Sequence, residues 1–347
     1  MMTLEQIYQL AIKMGIDSDL RGKQKVIKNQ ERLKEKYEQL SSQKKKEFDQ
    51  ERLSNPYSDT RIIYGEANTP VKRVLVGVDI ELPEMLLAKM MVEKDNKKID
   101  LCIAHHPVGS ALAALDEVMD MQAEILALYG IPINIAQSVL KPRISEVSRS
   151  ISLGNILRTP DAARLLKMPY LCVHTPADNL TADFLDKAIK KAKPEIVSEL
   201  MKVIKEIPEY QIAIKNNNGP KMFAGCEDNY VGNIAITEIT GGTEGSPKMY
   251  EKCAQAGIGT IVGMHMSETH KQEAEKNHIN AVINGHIASD SIGMNLFLDE
   301  LEKRGIEIIP CSGLIRVTRN KKTEKKIVKK KSVKKVIPKK KIRVKKK

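Results

Sequence analysis

The sequence predicts an α/β protein: two lobes with mixed sheets flanked by helices, a helical N-terminal extension and a disordered basic tail. Three observations carry this. From about residue 70, short apolar runs alternate with helical segments, the pattern of sheets covered on both faces. Before that point the spacing is helical only, and the last thirty residues are dominated by lysine.

In the extension, Leu4, Ile7, Tyr8, Leu10, Ala11 and Met14 recur at helical spacing, and Leu33, Tyr37 and Leu40 share a face further on. The turn-forming SNPYSD (54–59) ends it. The extension is assigned residues 1–65 and is expected to pack on the core or on a neighbouring subunit. The core spans 66–318, with lobes at about 66–215 and 220–318. Its expected strands are RVLVGVD (73–79), IDLCIAH (99–105), IPINIA (131–136), YLCVH (170–174), IGTIVGM (258–264), INAVING (279–285) and IEIIPC (306–311). Helices are expected over 83–95, 110–129, 180–193, 246–256, 268–277 and 291–304. The stretch 195–245 is less regular and reads as a join between the lobes, with its GGTEGS as a turn. That motif lacks the lysine and spacing of a P-loop.

At 347 residues, with 41% hydrophobic and 29% charged, the chain can bury a full core. It has no Trp and four Phe, so that core must be aliphatic. The five cysteines, 102, 172, 226, 253 and 311, are scattered without CxxC spacing, which argues against a disulfide framework or a zinc ribbon. No apolar run suits a membrane span, so no integral membrane contact is expected. The N-terminus lacks the order of a signal peptide, and the cytoplasm is the expected location. The net charge of +13 is local: residues 319–347 hold 17 Lys/Arg and one acid, Glu324. The body is slightly acidic. The tail cannot bury enough apolar surface to fold alone, and its lysines suit a sequence-blind anchor for nucleic acid or another polyanion. A merely solubilising end fits the same composition.

Three segments concentrate candidate ligands, each after an expected strand, where open α/β sheets place their sites. The first is Ala104-His105-His106-Pro107, in which Pro107 holds His106 extended and neutral imidazoles offer metal ligands. In VHTPADN, His174 and Asp178 lie four apart; Asp178 either ligates or caps the next helix. In GHIASD, His286 and Asp290 repeat that spacing, and Gly285 permits a sharp turn. Asp290 equally fits the first turn of a helix starting near Ser289. Imidazole with carboxylate suits Zn, Fe or Mn, and the set is large enough for two ions. His265, Glu268 and His270, in GMHMSETH, either line the same cleft or begin a solvated helix. Asp79 ends the first strand.

The series LVGVDI, LCIAHHP, VHTPADN and GHIASDSIGMNLFLDELEKRGIEIIPC resembles the Nif-three-like family of dinuclear metal proteins, over roughly residues 70–317. The resemblance implies two related α/β lobes with two divalent ions per chain between them. It implies ligation by His105, His106, Asp178, His286 and Asp290, with His174 orienting a ligand or water. Asp290 departs from the family's usual Glu and is one methylene shorter. The resemblance also implies a toroidal homohexamer, and a metal-dependent hydrolase of nucleotide-like substrates like the GTP cyclohydrolase type-two homologues. On this reading His174 or Glu268 moves protons. The alternative is a non-catalytic metal-binding scaffold or regulator that reaches partners or nucleic acid through its tail.

Overall fold

The computed structural model describes residues 1–95 and 98–320. The expected tail therefore lies outside the described residues from Lys321 onward. The described chain is mixed α/β, as the sequence predicts. Its strands are β1 (Met2–Thr3), β2 (Ile62–Tyr64), β3 (Pro70–Val71), β4 (Arg73–Gly77), β5 (Leu101–Ala104) and β6 (Tyr170–Cys172). Then follow β7 (Lys221–Ala224), β8 (Asn233–Glu238), β9 (Ile258–Gly263), β10 (Asn280–Ile283) and β11 (Glu307–Pro310).

Two sheets repeat one plan. The first has the order β11-β4-β5-β6-β2 and the second β7-β10-β9-β8. In each, the pairs are parallel except for one antiparallel edge strand, β2 or β7. Central strands such as β5 and β10 are buried along their whole length, which is why they read as unbroken apolar runs.

The helix Leu4–Asp17 starts with a capping box, in which the Thr3 hydroxyl accepts from the Gln6 amide and the Gln6 side chain accepts from the Thr3 amide. It buries Leu4, Ile7, Tyr8, Ala11 and Ile12 against the first sheet and the helices Thr175–Ala192 and His286–Lys303. The extension thus packs on its own core. Pro176 opens the Thr175–Ala192 helix, where its missing N–H costs nothing. The two long helices meet at Gly293, and Thr181 Oγ1 donates to Ser289 O across the contact at 2.9 Å.

Three expectations are corrected. IPINIA is not a strand: a helix runs from Ile133 to Ser152 with Pro132 as its N-cap, leaving Ile133 and Ile135 exposed. A short apolar run fits either period, and here the proline set the outcome. The stretch 195–245 is no irregular join, since it holds helices Val197–Lys205 and Pro208–Lys215 and both edge strands of the second sheet. The lobes are also not contiguous in sequence. β11 leaves the second lobe and pairs in parallel with β4 in the first sheet, Glu307 opposite Arg73.

Candidate metal centre

The carboxyl ends of β4, β5 and β6 in one sheet and of β9 and β10 in the other deliver Asp79, His105, His106, His174, His265 and His286 to a shared cleft. Gly285 makes the last turn possible. Its φ is +89°, and a side chain there would stand 2.9 Å from Asn218 O. The helix then begins at His286 rather than near Ser289, so Asp290 lies past the first turn. The helix at Thr175 is N-capped by His174, and both Asp178 oxygens lack a hydrogen-bond partner. Neither aspartate serves as a cap.

His105 Nε2 lies 3.4 Å from Asp178 Oδ1 and 3.5 Å from Asp290 Oδ1. Asp290 Oδ2 lies 3.6 Å from His106 Nε2 and 3.7 Å from His286 Nε2, which are themselves 3.4 Å apart. His174 Nε2 approaches Asp178 Oδ2 at 3.9 Å. Donor atoms close enough to hold one ion form two groups, His105 with His174 and Asp178, and His105 with His106 and Asp290. His105, Asp178 and Asp290 are at most 1% exposed.

Three imidazoles are locked in one orientation. His105 Nδ1 donates to Val173 O at 3.1 Å, His106 Nδ1 to Asp79 Oδ1 at 2.7 Å, and His174 Nδ1 to Asp59 Oδ2 at 2.8 Å. A neutral ring that donates from Nδ1 presents a lone pair at Nε2. The Nε2 atoms of His105, His106 and His174 that face the cleft are then acceptors. His105 Nε2 and all four oxygens of Asp178 and Asp290 are buried without a partner, an arrangement that native interiors avoid unless something fills it. Burial, together with Asp290 and Asp59 nearby, pushes the Asp178 carboxyl well up. Burial opposes ionisation of Asp290 too, but the surrounding histidines outweigh it and hold that carboxyl down. His286 is pushed down to about 4, first by burial. A divalent cation relieves the whole set, so the residues present fit the metal that the sequence implies.

A cavity of about 540 Å³ opens from the cluster. His106, His174, His265 and His286 line its inner end, while Leu112, Leu115, Met264 and Met266 form apolar walls and Arg143 and Glu244 the polar side. The GGTEGS turn supplies that side through Gly242, Thr243 and Glu244, with φ of +95° at Gly241 and +90° at Gly242. His265 joins the cleft, its ring 5.1 Å from that of His286. His270 does not. It is buried, with Nε2 donating to Gly245 O at 3.0 Å and Nδ1 2.6 Å from the Ser267 hydroxyl, and it braces the turn. Glu268, expected to handle protons, is exposed on the first turn of its helix and lies outside the cavity lining. The cavity carboxylate is Glu244.

Sequence reading missed Asp59, Arg143, Glu238 and Glu244. Asp59 and Glu244 sit in segments classed only as turns, and nothing local marks them as site residues. Glu238 is buried at the end of β8 beside Glu244. Burial, then Glu244, pushes its carboxyl up to about 8, against the Gly245 amide and Arg143. The folded chain therefore keeps a proton that the unfolded chain releases near pH 4.5. This contribution to stability is complete below that pH and is lost as pH rises toward 8. At 1.36 kcal/mol per unit the full swing is about 5 kcal/mol. Glu238→Gln keeps the neutral shape and is expected to flatten this slope. Urea unfolding of both proteins from pH 5 to 9 checks it, and parallel profiles would refute it.

Two α/β sheets whose parallel strands end at a buried His/Asp cluster define a two-lobed protein with a candidate metal cleft. Among solved structures, the chain is similar to a NIF3 superfamily protein from Sphaerobacter thermophilus at 28% identity and a TM-score of 0.67, covering 74% of this chain and 92% of that one. It also matches reduced HcgD from Methanocaldococcus jannaschii, at 14% identity and a TM-score of 0.45, over 78% and 97%. A Bacillus cereus protein related to NIF3 matches at 12% and 0.36, over 73% and 89%. No protein-family profile and no curated protein matches the chain. The fold is that of the Nif-three-like family, as the motifs indicated.

Proposed function

We propose that the chain is a dinuclear metal protein and a metal-dependent hydrolase of nucleotide-like substrates, resembling the GTP cyclohydrolase type-two homologues. The convergence of buried acceptor atoms without a partner, His105 Nε2 and the four oxygens of Asp178 and Asp290, carries the metal reading. In it, His105 and Asp178 hold one ion, His106 and His286 the other, and Asp290 turns one oxygen toward each group. Imidazole with carboxylate suits Zn, Fe or Mn.

Divalent ions held here supply Lewis acidity toward a water and a substrate oxygen. The chain does the rest. The apolar walls exclude water from the reacting end, Arg143 offers a cation to an anionic group, and His265, kept neutral by burial, can accept a proton.

The same proposal includes the division into extension (1–65), core (66–318) and tail (319–347), assembly as a homohexamer, and a cytoplasmic location. Among the described residues no helix is long and apolar enough to cross a membrane. Exposed Leu86, Leu87 and Met90 on one helix and Leu165 on its neighbour support self-association. A second reading, a non-catalytic metal-binding scaffold, is favoured by the Lys-rich tail, which suits a polyanion.

Elemental analysis of the purified chain and of the His105→Ala/His106→Ala variant, with a nucleotide hydrolysis screen, tests both readings. Bound metal that is lost in the variant, together with metal-dependent turnover, is the expected result. Metal without turnover selects the scaffold. Absence of metal removes the site.

A further inference from the structure

Asp59 comes from the segment that joins the N-terminal extension to the core, 115 residues before His174. It is completely buried, and its Oδ2 accepts from His174 Nδ1 at 2.8 Å and from Thr175 Oγ1 at 2.6 Å. The segment is itself held in place. Thr60 Oγ1 accepts from the His174 amide at 3.0 Å, and Arg61 and Cys172 exchange backbone hydrogen bonds at 3.2 and 2.9 Å. The Arg61 guanidinium is tied to Asp49 and to Ser58 O. Asn55 Nδ2 donates to Thr60 O at 2.8 Å and closes the loop. Little freedom is left to the Asp59 carboxylate, and through it to the His174 ring.

We propose that Asp59 is a positioning residue that locks His174 with its Nε2 lone pair turned toward the His105–Asp178 side of the centre. This inference rests on the metal reading above. The chemistry repeats what the site shows twice more, at Val173 O for His105 and Asp79 for His106. A carboxylate behind an imidazole fixes the tautomer and raises the basicity of the far nitrogen, and losing such a partner commonly costs 10–100-fold in metal affinity. His174 thereby joins His105 and Asp178 as a donor within reach of one ion. The N-terminal extension becomes part of the centre instead of a dispensable appendage.

The test is a double-mutant cycle on the full chain, with Zn²⁺ as the probe in a chelator competition. Asp59→Ala is expected to weaken the tighter binding step about 10–100-fold. In a His174→Ala background the same change should cost under about 2-fold, because the residue through which Asp59 acts is gone. An equal loss in both backgrounds would show a general structural role and overturn the proposal, as would no loss in the His174-containing chain. Asp59→Asn, which keeps an acceptor for Nδ1–H without the charge, should fall between the two and serves if the alanine variant does not fold. Nitrogen-15 NMR of the metal-free chain, labelled at histidine and assigned with His174→Ala, separates this inference from the metal reading. A His174 protonated at Nδ1, becoming a tautomer mixture in Asp59→Asn, upholds the positioning even if no ion binds. Protonation at Nε2 overturns it.

Discussion

Asp178→Asn is expected to make the metal-free protein more stable and the metal-loaded protein less so. The Asp178 carboxylate is buried, neither oxygen has a partner, and Asp290 and Asp59 face it with like charge. Its carboxyl is therefore pushed well above the ordinary range. The folded state holds a proton that the unfolded chain releases, so this group's stabilising contribution is complete at acid pH and lost as pH rises. At neutral pH the variant escapes that loss. The asparagine amide also offers its donors to the unpartnered Asp290 oxygens and His105 Nε2, and satisfying such buried groups is worth about 1–3 kcal/mol. With metal present the order should invert, because the variant lacks an anionic ligand. Affinity is expected to fall by more than the 10–100-fold typical of orienting partners. Thermal unfolding with and without Zn²⁺ reads both effects in one experiment. Equal shifts in the two states would mean that Asp178 does not face a cation.

The second large effect is expected from Gly293→Ala, which carries no chemistry of its own. A Cβ at this position would stand 1.9 Å from Ala177 O, 2.6 Å from Ala177 C and 2.7 Å from Thr181 Oγ1. Two of these atoms are backbone, so no rotamer change relieves the clash and the helices Thr175–Ala192 and His286–Lys303 must part. Overpacking of this kind costs about 3 kcal/mol or more. Asp178 follows Ala177 on one helix, and Asp290 lies one turn before Gly293 on the other. Separating the helices therefore pulls the two carboxylates apart. The expected result is a lower urea midpoint together with weaker metal binding, although no ligand has changed. A variant that keeps its midpoint would show that the helices yield more easily than backbone contact allows.

These two cases mark where the sequence was readable. The strands at 73, 101, 170, 258 and 280 were legible because they are buried over most of their length and written in largely apolar runs, and the partly exposed edge strand at 307 by its Ile308-Ile309 pair. The candidate ligands were legible because His105, His106, Asp178, His286 and Asp290 follow strands in three short motifs. IPINIA was not, since a short, largely apolar run fits a strand or a turn of helix equally well. The residues of GMHMSETH part company in space, which their closeness in sequence hid. His265 faces the cavity, while the following helix turns Glu268 to solvent. Asp59 left no local trace, as its partner is 115 residues away.

By itself, then, the sequence determined the α/β class, the buried strands, the Nif-three-like resemblance and the five residues expected to hold metal. Those properties rest on local pattern: a run of apolar residues, a turn-permitting glycine, a histidine beside a strand end. Only the tertiary structure decided that β11 returns to the first sheet, that Asp59 stands behind His174, and that Gly293 sets the spacing of the two aspartates. It also brought Arg143 and Glu244 to the cavity that the histidines line. Each of these depends on contacts between distant segments, and one-dimensional periodicity holds no record of which segments will meet.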